Sequence, residues 1–132
     1  MNTTTTENRT NVMSASTLMG DKVVNPQGEH LGEIKELMID PQTGHVGYAV
    51  LSFGGFLGMG DRLFAIPFRA LQLKADRKEF VLDVAKDKLQ TAPGFDKNDW
   101  PKSANRQWGT EIHTFYGVSP YWEGTPTPAT NR

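Results

Sequence analysis

Between Lys22 and Val84, short apolar runs alternate with polar positions and turn residues. A period of two predicts strands. Lys22-Val23-Val24-Asn25 is a short strand candidate, and Pro26-Gln27-Gly28 is its turn. His30 to Asp40 admits two readings. Glu29, Glu33, Glu36 and Asp40 fall at helical spacing, which would make an acidic helix face. Gly32 interrupts that run and Pro41 follows it, while Leu37-Met38-Ile39 suits a strand with a bulge, the reading favoured here. Asp40-Pro41-Gln42-Thr43-Gly44 predicts a hairpin loop, with Gly44 in the left-handed position that re-enters the ladder. Gly47 to Phe53 is the clearest strand. Tyr48, Val50 and Ser52 face one way, and Ala49, Leu51 and Phe53 the other. Both faces are largely apolar, so the strand should be covered on both sides.

Gly54-Gly55-Phe56-Leu57-Gly58-Met59-Gly60 then mixes four glycines with three large hydrophobes. Arg62 to Phe68 returns as a strand, and Pro67, without an N–H, marks an edge or the end of pairing. Leu71 and Leu73 alternate with polar neighbours, Ala75-Asp76-Arg77-Lys78 turns, and Phe80 to Val84 pairs back. These elements predict a mainly β fold, a small closed antiparallel barrel of about six strands. From Ala85 the pattern changes. Ala85 to Leu89 suits a short helix with Asp83 as a possible cap, and Asp96 can cap another turn carrying Trp100. Trp108, Ile112, Phe115 and Tyr116 recur at i, i+4, i+7 and i+8, one face of an amphipathic helix opened by Ser103 and closed by Gly117. The expected domains are a disordered tail over 1–15, a barrel over 16–84, an aromatic helical extension over 85–123 and a disordered tail over 124–132.

Composition narrows the chemistry. The 132 residues, net charge −1 and absence of cysteine indicate one domain with no disulfide, thiolate nucleophile or Cys-ligated metal. Balanced charge argues against binding a polyanion, since phosphate contacts need clustered Lys and Arg. No basic start leads into an apolar run, and no apolar stretch approaches the ~18 residues of a span. The expectation is a soluble cytoplasmic chain. His30, His45 and His113 lie in unrelated segments and are expected at the surface or in turns, not at a metal. The glycine-rich stretch lacks G-x-G-x-x-G order and a following G-K-[ST], so it is no phosphate cradle. No G-x-S-x-G elbow or calcium-loop spacing occurs. No catalytic residue, cofactor or metal is expected.

Several motifs together resemble a known family. They are Gly28-Glu29-His30-Leu31-Gly32-Glu33-Ile34, the Asp40-to-Gly44 turn, Tyr48-Ala49-Val50-Leu51, Gly54-Gly55-Phe56-Leu57-Gly58 and Phe64-Ala65-Ile66-Pro67. They resemble the PRC-barrel family, named for the cytoplasmic domain of the photosynthetic reaction-centre H subunit and shared with the C-terminal barrel of a ribosome maturation factor. The resemblance covers roughly Leu18 to Val84. Ala92-Pro93-Gly94-Phe95-Asp96, Asp99-Trp100-Pro101 and Tyr116-Gly117 with Pro120-Tyr121-Trp122 are similar to small stand-alone bacterial members with this tail. The resemblance implies a non-enzymatic docking or adaptor module. Ribosome maturation and a reaction-centre accessory role are the alternatives.

Large hydrophobes in a short turn need a cover, and so does an apolar helix stripe. The candidate protein contacts are therefore Phe56, Leu57, Met59, Tyr48, Trp108, Ile112, Phe115, Tyr121 and Trp122. The cover is the chain itself, a second copy or another protein, and a homodimer is the expected assembly. If the helix stripe is buried, Trp108→Ala should cost about 3–5 kcal/mol, read as a shift in thermal unfolding.

Overall fold

The computed structural model describes residues 12–53, 62–96 and 106–123. Seven strands form one sheet: β1 (Lys22–Val24), β2 (His30–Ile39), β3 (Val46–Phe53), β4 (Arg62–Pro67), β5 (Leu71–Lys74), β6 (Glu79–Leu82) and β7 (Gly94–Asp96). Among the described residues, three α-helices accompany them: α1 (Ala15–Leu18), α2 (Lys86–Leu89) and α3 (Arg106–Tyr116). The strand order is β5-β6-β1-β2-β3-β4-β7.

The ambiguous run His30–Ile39 is a strand, and its bulges explain its misleading spacing. Register shifts between Ile34 and Glu36, so Ile34 pairs with Leu51 and Leu37 with Ala49. Three residues on β2 thus match two on β3, and both leucine and isoleucine reach the core. A second bulge faces β1, where Val23 pairs with Gly32 and Val24 with His30. Gly32 has φ +148, and a Cβ there would lie 2.3 Å from the Ser52 carbonyl oxygen. The Asp40–Gly44 loop closes as its residues suggest. Asp40 Oδ1 accepts the Gln42 N–H at 2.9 Å, and Gly44 takes φ +80. Asn25 organises the preceding turn. Its Oδ1 accepts the N–H groups of Gln27 and Glu29, and its amide donates to Glu29 and to the Val84 carbonyl.

The sheet departs from the expected closed, antiparallel, six-stranded barrel. It is not closed by hydrogen bonds, because β5 and β7 are both edges. Pro67 ends β4 without an N–H, and the 3₁₀ turn Phe68–Ala70 carries the chain away before β5 begins. β1 and β6 run parallel, with Val23 opposite Phe80. Side-chain alternation has the same period in parallel and antiparallel ladders, so the sequence could not separate them. The seventh strand, β7, comes from the stretch read as helical. Asp96, expected to cap a helix, ends β7 and pairs with Arg62. Asp83 does not cap α2 either: Ala85 occupies the N-cap, with no side-chain cap bond.

One core fills the inner side of the sheet: Leu31, Ile34, Leu37, Ala49, Leu51, Phe53, Phe64, Ile66, Phe80 and Leu82 among others. Val50, Leu63 and Ala65 are also buried but stand outside that cluster, as does Ile112 of α3. Val50 pairs with Ala65, so the two share a face. Helix α3 packs on β4. It thus covers the second apolar face of the β3–β4 ribbon. Phe115 and Tyr116, at its far end, pack against the main core. Trp108 is only half-buried, so the stripe's deepest member is Ile112. Gly117, at φ +73, ends the helix as expected, and Val118 N–H donates back to the His113 carbonyl at 3.1 Å. Ser103, Trp100 and the stretch Gly54–Gly60 lie outside the described residues, and Phe56, Leu57 and Met59 with them.

Gly32→Ala should destabilise the protein by more than about 1 kcal/mol, because the added Cβ meets backbone rather than a movable side chain. Equilibrium denaturant unfolding measures this, and an unchanged midpoint would show that β2 can relax around the bulge.

Candidate functional site

A cleft of about 410 Å³ lies where the β2–β3 hairpin meets α3 and the 3₁₀ turn Tyr121–Glu123. Met38, Ile39 and Tyr48 line one wall; Trp108, Tyr121 and Trp122 line the other. Tyr48 meets Trp108 edge to face at 5.1 Å, and Tyr121 meets Trp122 the same way at 5.0 Å. Five of the nine contacts expected from the sequence therefore converge here: Tyr48, Trp108, Ile112, Tyr121 and Trp122. Phe115 does not. It packs toward the main core with Lys88 Nζ 5.6 Å from its ring centroid.

Asp40 joins the two walls. Its Oδ1 is taken by the hairpin loop, and its Oδ2 accepts a hydrogen bond from the Tyr121 hydroxyl. The residues are 81 apart in sequence. The Tyr121 bond, helped by the Gln42 and Thr43 N–H groups and by Arg106, holds the Asp40 carboxyl below the usual carboxylate range. Burial first, and then the Asp40 carboxylate, push the Tyr121 phenol up to about 12. Tyr121 therefore stays a donor and Asp40 an acceptor throughout neutral pH. Arg106 adds a third link. Its guanidinium lies 3.9 Å from Asp40 Oδ2 and 4.5 Å from the Trp122 ring centroid.

One glycine lets an aromatic ring come close. At Gly109 of α3, an added Cβ would stand 2.7 Å from the Trp122 indole, whereas at Gly47 of β3 it would make only ordinary contact with the Tyr121 hydroxyl, at 3.4 Å. A glycine inside a helix ordinarily costs about 1 kcal/mol against alanine. Here it gives the indole its seat.

His113 lies beneath that seat. Expected at the surface, it is 1% exposed, because helical spacing sets it four residues from Gly109, on the side of α3 that Tyr121 and Trp122 cover. Its Nδ1 donates to the Gly109 carbonyl at 2.7 Å, and Nε2 has no hydrogen-bond partner among the described residues. His30 and His45 are exposed, and among the described residues no group of three His, Asp or Glu side chains could hold a metal ion. Sequence reasoning missed Asp40, Arg106, Gly109 and His113 as parts of one site. Gly109 interrupting an apolar helix pattern was the one available signal.

Residues 10–89 match the family model described as PRC-barrel domain. The match ends before α3, so one wall of the cleft lies outside it. Among solved structures, a Pseudomonas aeruginosa protein described as a 16S ribosomal RNA processing protein, RimM, is similar at 19% identity with a TM-score of 0.41. That likeness covers 60% of this chain and 48% of the other, so this chain spans about half the length of the protein it matches. No curated protein matches the chain. Among the described residues, no helix is long and apolar enough to cross a membrane.

Gly109→Ala should fail to give the usual gain of about 1 kcal/mol for a helical Gly→Ala change, and should displace the Trp122 indole. Thermal unfolding together with acrylamide quenching of tryptophan reads both. A stabilised protein with unchanged quenching would mean the indole has room to spare.

Proposed function

The chain belongs to the PRC-barrel family, and we propose that it is a non-enzymatic adaptor that takes a segment of a partner protein in the aromatic cleft. The observation that carries this reading is the cleft's make-up: four aromatic rings and a thioether, open to solvent, with a fixed carboxylate and a guanidinium at the rim. Aromatic residues and Arg dominate the binding energy of protein interfaces, and Met adapts to irregular partners. Ile39 extends the apolar rim into solvent, with 56% of its surface exposed. A volume of about 410 Å³ suits one or two large side chains of a docking segment.

The reading asks nothing of the chain beyond recognition. Phe115 would act by supporting α3 rather than by touching a partner. The homodimer expected from the sequence stands as a second proposal about assembly, and light scattering across micromolar concentrations decides it.

The cleft reading is tested by affinity capture from the native host with mass spectrometry, comparing wild type with Ile39→Asp. Ile39 is exposed, so the variant should fold normally. The expected outcome is a partner whose affinity falls at least tenfold in the variant, about 1.4 kcal/mol. Purified ribosomal subunits belong beside it as a separate bait, since the barrel also resembles that of a ribosome maturation factor. Equal recovery of every partner by wild type and variant would remove the cleft from the interaction.

A further inference from the structure

The cleft wall made by Tyr121 and Trp122 rests on a buried histidine whose second nitrogen has no hydrogen-bond partner among the described residues. We propose that the turn Tyr121–Glu123 is an acid-released clasp, in which a proton on His113 detaches this wall from α3 and opens the cleft. The inference rests on the docking reading only for its purpose; the clasp itself is a property of the isolated chain.

The geometry comes first. The Nδ1–H of His113 is committed to the carbonyl one turn back on its own helix. The free nitrogen, Nε2, is on the far side of the imidazole and is buried without a partner. The Trp122 ring lies 5.4 Å from the imidazole and the Tyr121 ring 6.0 Å. In the neutral ring Nε2 carries only a lone pair, and leaving that unpaired is tolerable. A proton there makes a buried cation with an N–H and no acceptor, which is far costlier.

The surrounding charges deepen the effect. Arg69, from the 3₁₀ turn after β4, reaches over to donate to the Ser119 carbonyl at 3.1 Å and opposes a charge on His113. Arg106 faces the Trp122 ring at 4.5 Å. Of the acids, Asp40 is engaged by Tyr121 and the hairpin loop. Glu123, on the clasp itself, favours the charged ring but is exposed. Burial, the largest influence, holds the imidazole below its ordinary value of 6.5, with Arg69 adding to it and the Gly109 bond and Glu123 opposing. The sign follows. The closed clasp binds the proton less well than the released one, so closure is favoured in full above about pH 6.5 and weakens as pH falls below it. Among the described residues, the clasp meets the sheet at the hairpin end, where Tyr121 bonds Asp40 and faces His45, so the strands should stay paired when the clasp opens.

The experiment is a pH titration of the full chain by NMR, following the three tryptophan indole N–H resonances, with Trp122 assigned by Trp122→Phe. The expected result is that the Trp122 resonance moves toward its solvent-exposed position between pH 7.5 and 5 with a midpoint below about 6.5, while the sheet amides hold their positions. His113→Phe should abolish the shift, as should His113→Gln, which keeps a polar side chain should the ring variant fail to fold. His45→Gln removes the other titratable ring beside Tyr121, 5.3 Å away, and should leave the shift intact. A stationary Trp122 resonance in wild type overturns the proposal. So does a shift that persists in the His113 variants, one that disappears with His45→Gln, or loss of the sheet amides at the same midpoint. Because no partner is present, failure here leaves the docking reading standing, and failure of the Ile39→Asp test leaves the clasp standing.

Discussion

The β3–β4 ribbon is apolar on both faces, and most of the molecule answers that constraint. Ala49, Leu51, Phe64 and Ile66 belong to the inner core, while Val50, Leu63 and Ala65 are buried on the other side. An uncovered outer face would leave these apolar side chains in water, at roughly 25 cal/mol per Å² of apolar surface. The strands before β3 cannot supply the cover, because they lie in the same sheet. Helix α3 does so, and its Ile112 is buried in the process. The helix is therefore part of how this sheet resolves its own two-sidedness.

That solution creates the cleft as a by-product. A straight helix laid on a twisted ribbon meets it closely along part of its length and diverges elsewhere. Near its N-terminal end, Trp108 meets Tyr48 by an edge and stays half-buried. The gap is framed by the hairpin loop on one side and by Tyr121–Trp122 on the other. Asp40 ties loop to clasp with one carboxylate, serving a local turn through Oδ1 and a distant tyrosine through Oδ2. The two roles reinforce each other: a carboxylate already fixed by backbone N–H groups loses little freedom when the phenol arrives.

Two buried polar atoms belong to the same region, while Asp21 and Asn25, also buried, flank β1. Among the described residues, His113 is buried with an unpaired nitrogen, and the Tyr116 hydroxyl is buried without a hydrogen-bond partner. Burial pushes the Tyr116 phenol well up from its ordinary value. Buried polar groups lacking partners are few in folded proteins, and these two belong to the helix that closes the second face. The apolar cluster of the sheet is aliphatic and aromatic, and the buried polar groups beside β1 are partnered: Asp21 is ion-paired to Lys78 at 3.2 Å, and Asn25 is hydrogen-bonded within its turn.

Local chemistry was legible in the chain. The turns at Gly28 and Gly44, the strand Val46–Phe53 with apolar residues on both faces, the bulged strand His30–Ile39 and the helix ending at Gly117 all follow from φ preferences and side-chain period. These act over a few residues, and so did the cluster of late aromatic positions that supplies most of the cleft. What only the tertiary structure decided is where the elements stand beside one another. The parallel pairing of β1 with β6, the open edges at β5 and β7, and the strand made by Gly94–Asp96 leave no mark in the alternation, since a ladder's direction and neighbour do not change its period. Asp40 reads locally as a loop residue and His113 as one more polar position on a helix. Their partners lie on other elements, and the interactions that define them arise only once burial has removed water and brought those elements into contact.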